Sequence, residues 1–418
     1  MNMNMYRYLL IPFLFFLLPH HSFAQKKDIN YFISQSLQND PRIYELSNQI
    51  LQNKLDSQLI VAGNKWQVTG NGNAYYAPII NGWGYDMAIT NGQQLSAIVA
   101  VNKQVYNKRN LSLRFSNLQL QNDSLVNSSA ISKQDIKKAI TGQYIITYGD
   151  QLQLDFNDQL IELLTREEEL LKQLTQKNVY KQSDYLTFLV TLQQQQLVRN
   201  QLFVQYKNDY ASLNYLAGIA DTTVEALSEP PMQVYQNDQP GQSAFFLSYK
   251  IDSLRIENER SIASVQYRPK VNLFADAGYQ STFILRPYKN LGYNFGINLT
   301  IPIYDGHQKQ LQFSKLDIQQ RTLQKKQDFF DHQFHQQVLL LQQQLHDIRN
   351  LGTSIDKQIE YLETLIKVDG KLLETGDIRI TDYILALNNY ITAKNLVVQN
   401  QIERYRVIQQ INYWNMKL

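Results

Sequence analysis

The sequence predicts a mainly α protein with a membrane β-barrel part, built from a duplicated unit of helix, two strands, very long helix and helix. Three observations carry this. Strand-length segments alternate apolar and polar residues, the same residues recur at an offset of 198, and two long proline-free stretches keep heptad spacing.

The clearest strand runs from Tyr293 towards Gly306. Tyr293, Phe295, Ile297, Leu299, Ile301 and Ile303 fall on one face, and Asn294, Gly296, Asn298 and Thr300 on the other. Such a period-2 pattern marks a sheet between unlike media. At about 10 residues the segment is long enough to cross a bilayer as a tilted strand. Pro302 stands near its end, where a missing donor does least harm, and Asp305-Gly306 closes it before a helical pattern begins.

From the N-terminus, residues 1–24 read as a secretory leader: Arg7 in the n-region, an apolar core from Tyr8 to Leu18, and small Ser22 and Ala24 before Gln25. The apolar core is too short to span a membrane as a helix, and no later stretch reaches the length required. The chain has no cysteine, so neither a lipidated N-terminal cysteine nor a disulfide framework is expected. Loss of Arg7 with the leader takes the formal charge from +3 to +2. That balance argues against a nucleic-acid partner.

Proline is expelled from helix interiors at a cost of about 3 kcal/mol. Its absence between Pro78 and Pro230, and again after Pro302, therefore predicts helices. A helix from Lys108 to Thr175 would be roughly 100 Å long at 1.5 Å per residue. In the second stretch Val338, Leu341, Leu345, Ile348, Ile355, Ile359, Leu362 and Ile366 keep a 3-4 rhythm, with Gly352 in the one slot that is not apolar.

The repeat matches Val105-Tyr106 with Ile303-Tyr304. It also matches Leu113, Phe115, Ser116 and Leu118 with Leu311, Phe313, Ser314 and Leu316, Asp184-Tyr185 with Asp382-Tyr383, and Asn214-Tyr215 with Asn412-Tyr413. The offset holds without a gap over roughly a hundred residues, which chance does not explain. The expected organisation is a leader (1–24), a first repeat (25–217) with strands at about 65–76 and 93–105, a linker (218–243), and a second repeat (244–418) with strands at about 270–279 and 291–304. In the first repeat Trp66, Val68, Ala74 and Tyr76 alternate with Lys65, Gln67, Thr69, Asn71 and Asn73. The loops between paired strands are expected at Ile79 to Asn91 and Gln280 to Asn290.

Four strands cannot close a membrane barrel, and lipid does not tolerate open strand edges. Two chains would supply eight strands, a barrel filled by its own side chains. Three would supply twelve, enough to enclose water, so the pattern favours a homotrimer or larger ring with lipid around it. A fibrous coiled coil without transport function would leave the strands unexplained.

These residues resemble the TolC-like outer-membrane efflux proteins, trimeric channel-tunnels, over essentially the whole mature chain. The resemblance rests on the duplicated architecture, on the junction from Leu299 to Gly306, and on the tip Gly376-Asp377-Ile378-Arg379-Ile380-Thr381-Asp382. It implies a location in the outer membrane with the helices in the periplasm. It also implies a passive exit duct for small molecules, driven by an inner-membrane transporter through a periplasmic adaptor protein. A duct for type I protein or peptide secretion shares the same architecture. The tip is implied to form the channel entrance and adaptor contact, with Gly376, Arg379, Thr381 and Asp382 in one repeat and Asn178, Ser183 and Asp184 in the other. Asn178 replaces glycine, and asparagine is the next best residue for a left-handed turn. Leu385 stands where family members can carry a second carboxylate, and Arg379 lies one place later than the usual basic residue. Asp184 and Asp382 are read either as a ring of carboxylates or as helix caps.

No enzymatic motif competes. His332 and His335 share a helix face without a third ligand at convincing spacing, so they are read as solvated. Glu167-Glu168-Glu169 reads as a solvated face. There is no phosphate loop and no nucleophile elbow, and no cofactor or metal is expected.

Overall fold

The computed structural model describes residues 27–105, 108–235, 243–282 and 287–415. The expected leader, Tyr106 and Pro240 lie outside the described residues. The elements run α1 (Ile29–Asn39), α2 (Pro41–Gly63), β1 (Gln67–Tyr76), α3 (Met87–Thr90), β2 (Gln93–Val105), α4 (Lys108–Gln176) and α5 (Gln182–Ala217). They continue α6 (Ala244–Gln266), β3 (Lys270–Ser281), β4 (Leu291–Thr300), α7 (Gln308–Thr375) and α8 (Ile380–Trp414). Helix, strand pair, long helix and shorter helix thus occur twice in the same order.

The strands form one antiparallel four-stranded sheet in the order β1-β2-β3-β4. Its register keeps a mainly apolar face and a mainly polar face, although Tyr75, Ile98 and Phe274 lie on the polar one. One face carries Val68, Ala74 and Tyr76 of β1, level with Val101, Leu95 and Gln93 of β2. It continues through Val99, Val101 and Val105, which pair with Ala277, Ala275 and Val271 of β3. Val271, Leu273, Ala275 and Ala277 in turn pair with Leu299, Ile297, Phe295 and Tyr293 of β4. The other face carries Thr69, Asn71 and Asn73, then Ser96, Asn102 and Gln104, then Asn272, Asp276 and Gln280, and finally Asn294, Asn298 and Thr300. Lys103 is the charged exception on the apolar face. Its ammonium lies 5.2 Å from the centre of the Trp66 ring, a basic and aromatic pair suited to a membrane boundary.

Both ends of the last hairpin are set by proline. The strand expected to reach Tyr304 stops at Thr300, which pairs with Lys270. Pro269 and Pro302 flank that final pair, and neither can donate to a ladder, so pairing ends there. Between β1 and β2, Asn81 and Gly82 adopt φ of 54° and 82°, and Ile80 and Trp83 exchange two backbone bonds across them. Two left-handed residues in succession are what a tight hairpin turn requires.

α4 has 69 residues and α7 has 68. α4 packs along α5, and α7 along α8, as two long antiparallel hairpins. The heptad seats of α7 face inward as expected: Leu341, Leu345 and Ile355 are buried, and Val338, Ile348, Ile359, Leu362 and Ile366 half-buried, among exposed neighbours. Gly352 leaves room in its seat for the Asn400 side chain of α8. No described helix is long and apolar enough to cross a membrane.

The segment after α5 lies as a strap across the middle of the helices. Leu227 is almost fully buried among Phe32, Tyr144, Tyr206 and Tyr210. Gln151 holds its backbone in both directions, accepting from Leu227 N at 2.7 Å and donating to Leu227 O at 3.2 Å. The repeated Asn214 and Asn412 both fasten this strap. Asn214 donates to Asp221 O at 2.6 Å, and Asn412 to Gln233 O at 2.7 Å. Their recurrence at the same offset therefore has a structural reason.

Candidate functional site at the hairpin tips

The two turns, between α4 and α5 and between α7 and α8, lie side by side. Each long helix ends in the same double bond. Val179 N reaches Leu174 O at 2.9 Å while Asn178 N reaches Thr175 O; Asp377 N reaches Leu372 O at 2.9 Å while Gly376 N reaches Leu373 O. Both turns need a left-handed residue, and Asn178 (φ 61°) and Gly376 (φ 81°) provide it. Gly376 has a second constraint, because a Cβ there would sit 2.6 Å from Val179 Cγ1 of the other turn.

Tyr180 pins the turns together. Its hydroxyl lies 3.0 Å from Ile378 O and 3.2 Å from Leu373 O, bringing a donor from the first turn to carbonyls at the second. Beneath it, Leu164, Leu171, Phe188, Leu373, Ile380, Tyr383 and Leu387 form one apolar cluster drawn from all four long helices. The Phe188 and Tyr383 rings stack with centroids 6.5 Å apart. Tyr180 stands inside the first tip motif, yet sequence reading passed over it; its role depends on a neighbouring turn some two hundred residues away.

The capping reading of Asp184 and Asp382 is corrected. The residues at the N-cap positions are Lys181 and Arg379, and neither makes a side-chain cap bond. The two aspartates lie in the first turn, where a negative charge meets the positive end of the helix dipole. Asp382 is gripped by Arg379 through two bonds of 2.9 Å, from Nε and from Nη2. Asp184 instead faces the Ser183 hydroxyl at 3.4 Å, and no ion pair of Lys181 is found among the described residues. Thr381 and Leu385 are exposed.

More carboxylates converge here than the motifs indicate. Asp369 occupies the heptad seat after Ile366 and is 8 % exposed; burial, then Asp382, raises its pKa. The glutamate run is not uniformly solvated. Burial, then Glu374, raises Glu167, and the Tyr185 hydroxyl donates to Glu168, which leaves only Glu169 exposed. His332 and His335 are far along α7 from this site and exposed, with His335 Nε2 3.5 Å from Asp331.

No protein-family model and no curated protein matches the chain. Among solved structures it superposes on CusC with a TM-score of 0.76 at 10% identity, over 93% of this chain and 92% of that one. The outer membrane protein VceC of Vibrio cholerae gives 0.74 at 12%, over 93% and 96%. The CmeC outer membrane channel of Campylobacter jejuni gives 0.72 at 11%, over 93% and 85%. The chain therefore has the fold of TolC-like outer-membrane channels.

Proposed function

We propose that this chain is the exit duct of an export system, seated in the outer membrane with its helices in the periplasm. The observation that carries the reading is the sheet. The four strands keep one mainly apolar and one mainly polar face in register, and β1 and β4 are free edges at the ends of that sheet. Since β1 and β4 run antiparallel, β4 of one chain can pair with β1 of the next without reversing direction. Three copies then give twelve strands around a lumen lined mainly by asparagine, glutamine, serine and threonine, with Asp276 and Lys270 of β3 among them.

The solved neighbours bear names of channels rather than enzymes, which supports passive transport rather than catalysis. This polar lining holds no nucleotide-binding or other energy-coupling motif, so we assign the driving force to an inner-membrane transporter. That transporter would be coupled through a periplasmic adaptor at the hairpin tips, where Gly376, Arg379, Thr381, Asp382, Asn178, Ser183 and Asp184 are grouped. In a trimer Asp184 and Asp382 bring six carboxylates towards one axis, an arrangement that favours cations.

Light scattering of the detergent-extracted protein and conductance in planar bilayers test this. A trimer that forms ion-conducting pores is expected. A stable monomer in mild detergent, without conductance, overturns the proposal.

A further inference from the structure

Asp150 of α4 and Asp209 of α5 face each other across the first hairpin within hydrogen-bonding reach. Their surroundings differ. Asp209 accepts from Gln143 Nε2 at 3.2 Å and from Gln205 Nε2 at 2.7 Å. Asp150 Oδ2 is sealed from solvent and receives no N–H or O–H. Two carboxylates this close resist ionising together. Asp209 already accepts an N–H on each oxygen while Asp150 Oδ2 has none, so the shared proton is placed on Asp150, which then donates to Asp209.

The second repeat shows what the position requires. At the offset of 198, Asp150 and Asp209 correspond to Ile348 and Val407, which lie in one apolar cluster between α7 and α8. The site is thus a helix-to-helix contact in both hairpins, made by hydrocarbon in one and by an acid pair in the other. We propose that Asp150 and Asp209 form a proton-dependent latch between α4 and α5, closed while the pair holds one proton and loosened when both carboxylates ionise.

The neighbouring groups supply no substitute for the proton. Asp155 and Tyr144 of α4 and Tyr206 and Tyr210 of α5 share this electrostatic neighbourhood and bring no positive charge. Lys27, which acts on Tyr210, is engaged by Glu225 at 3.1 Å. From α8, Ile402 meets Gly149, Gln409 meets Gly142 and Tyr405 stands by Tyr148, its hydroxyl donating to Glu229 of the strap, which also acts on Tyr148.

Burial, reinforced by Asp209, raises Asp150 to about 8, whereas an unfolded aspartate titrates near 3.9. The folded form therefore holds a proton that the unfolded form releases. Its contribution to stability is complete below about pH 4, falls as pH rises, and is lost by about pH 8. The latch lies about 40 Å along α4 from the tip, at 1.5 Å per residue. Its opening would let the hairpin part well away from the Tyr180 pin.

Hydrogen exchange of the full-length protein in detergent tests the proposal. Exchange is followed around residues 150 and 209 and, as an internal control, around 348 and 407, with correction for the intrinsic pH dependence of exchange. Between about pH 6 and pH 9 the first pair of segments should lose protection roughly tenfold or more while the second pair holds steady. Asp150→Ile with Asp209→Val, which installs the residues of the other repeat, should remove the difference. Equal behaviour of the two hairpins in the unmodified protein overturns the latch without reference to any variant. A pH response that persists in the double variant overturns it too.

Discussion

At the first tip, Asn178 takes the left-handed turn, Lys181 begins the next helix, and Asp184 has only a serine hydroxyl beside it. At the second, Gly376 takes the same turn, Arg379 occupies the place of Lys181, and a two-point ion pair holds Asp382. The backbone bonds are the same in both, so the turn geometry tolerates either residue. What differs is the demand from outside. Gly376 is pressed by Val179 of its neighbour, while the Asn178 side chain is exposed. The duplicated fold thus keeps its backbone and gives the two tips different jobs: the first supplies the pinning side chains Val179 and Tyr180, and the second receives them.

The sharpest way to break this symmetry is Gly376→Ala. It places a side chain at positive φ, which costs about 1–2 kcal/mol, and drives a methyl into Val179. Thermal unfolding should show a loss of about 2 kcal/mol or more. A double variant with Val179→Ala should recover the steric part but not the conformational part.

Neutralising the aspartates should have unequal effects. Asp382→Asn dissolves the pair with Arg379 and should speed hydrogen exchange in the first turn of α8. Asp184→Asn should leave the first turn of α5 nearly unchanged. If the six carboxylates govern ion passage, reversal potentials of the double variant in a salt gradient will show reduced cation preference. The smallest effect should come from Asn178→Gly, which relieves the residual strain of a left-handed asparagine while freeing the unfolded chain. Unfolding midpoints should move by only a few tenths of a kcal/mol in free-energy terms.

Much of the fold was legible because it repeats at short period. Alternation in Tyr293 to Thr300 requires neighbours only two residues apart, and the heptad from Val338 to Ile366 needs only one helix surface. The left-handed turn at Asn178 was readable for the same reason, being a local property of one residue. The offset of 198 exposed the pairing of Asn214 with Asn412 before their task was visible. The tip chemistry was harder to read. Whether Asp382 caps a helix or sits within its first turn depends on where extended backbone gives way to helix, and Arg379 takes the cap position without contributing a cap bond. Tyr180 acts on carbonyls of another turn, and Asp150 meets a residue 59 positions away. Asp369 was hidden by the heptad itself, since the apolar rhythm ends at Ile366 although the inward-facing seats continue.

The free edges of β1 and β4 also bear on how such a molecule is made. A single chain offers an edge strand of ten residues at each side of its sheet, about half of whose backbone groups point outward without a partner strand. Water solvates those groups, but hydrocarbon leaves each one several kcal/mol out of pocket. In the proposed duct a lone sheet would therefore have no stable stopping place within a bilayer, and insertion and association would become one event. Its rate would depend steeply on the local number of chains. The long helices, whose turns and hydrogen bonds close within one chain, can fold beforehand in water and hold the unfinished sheets at the membrane surface until enough copies gather.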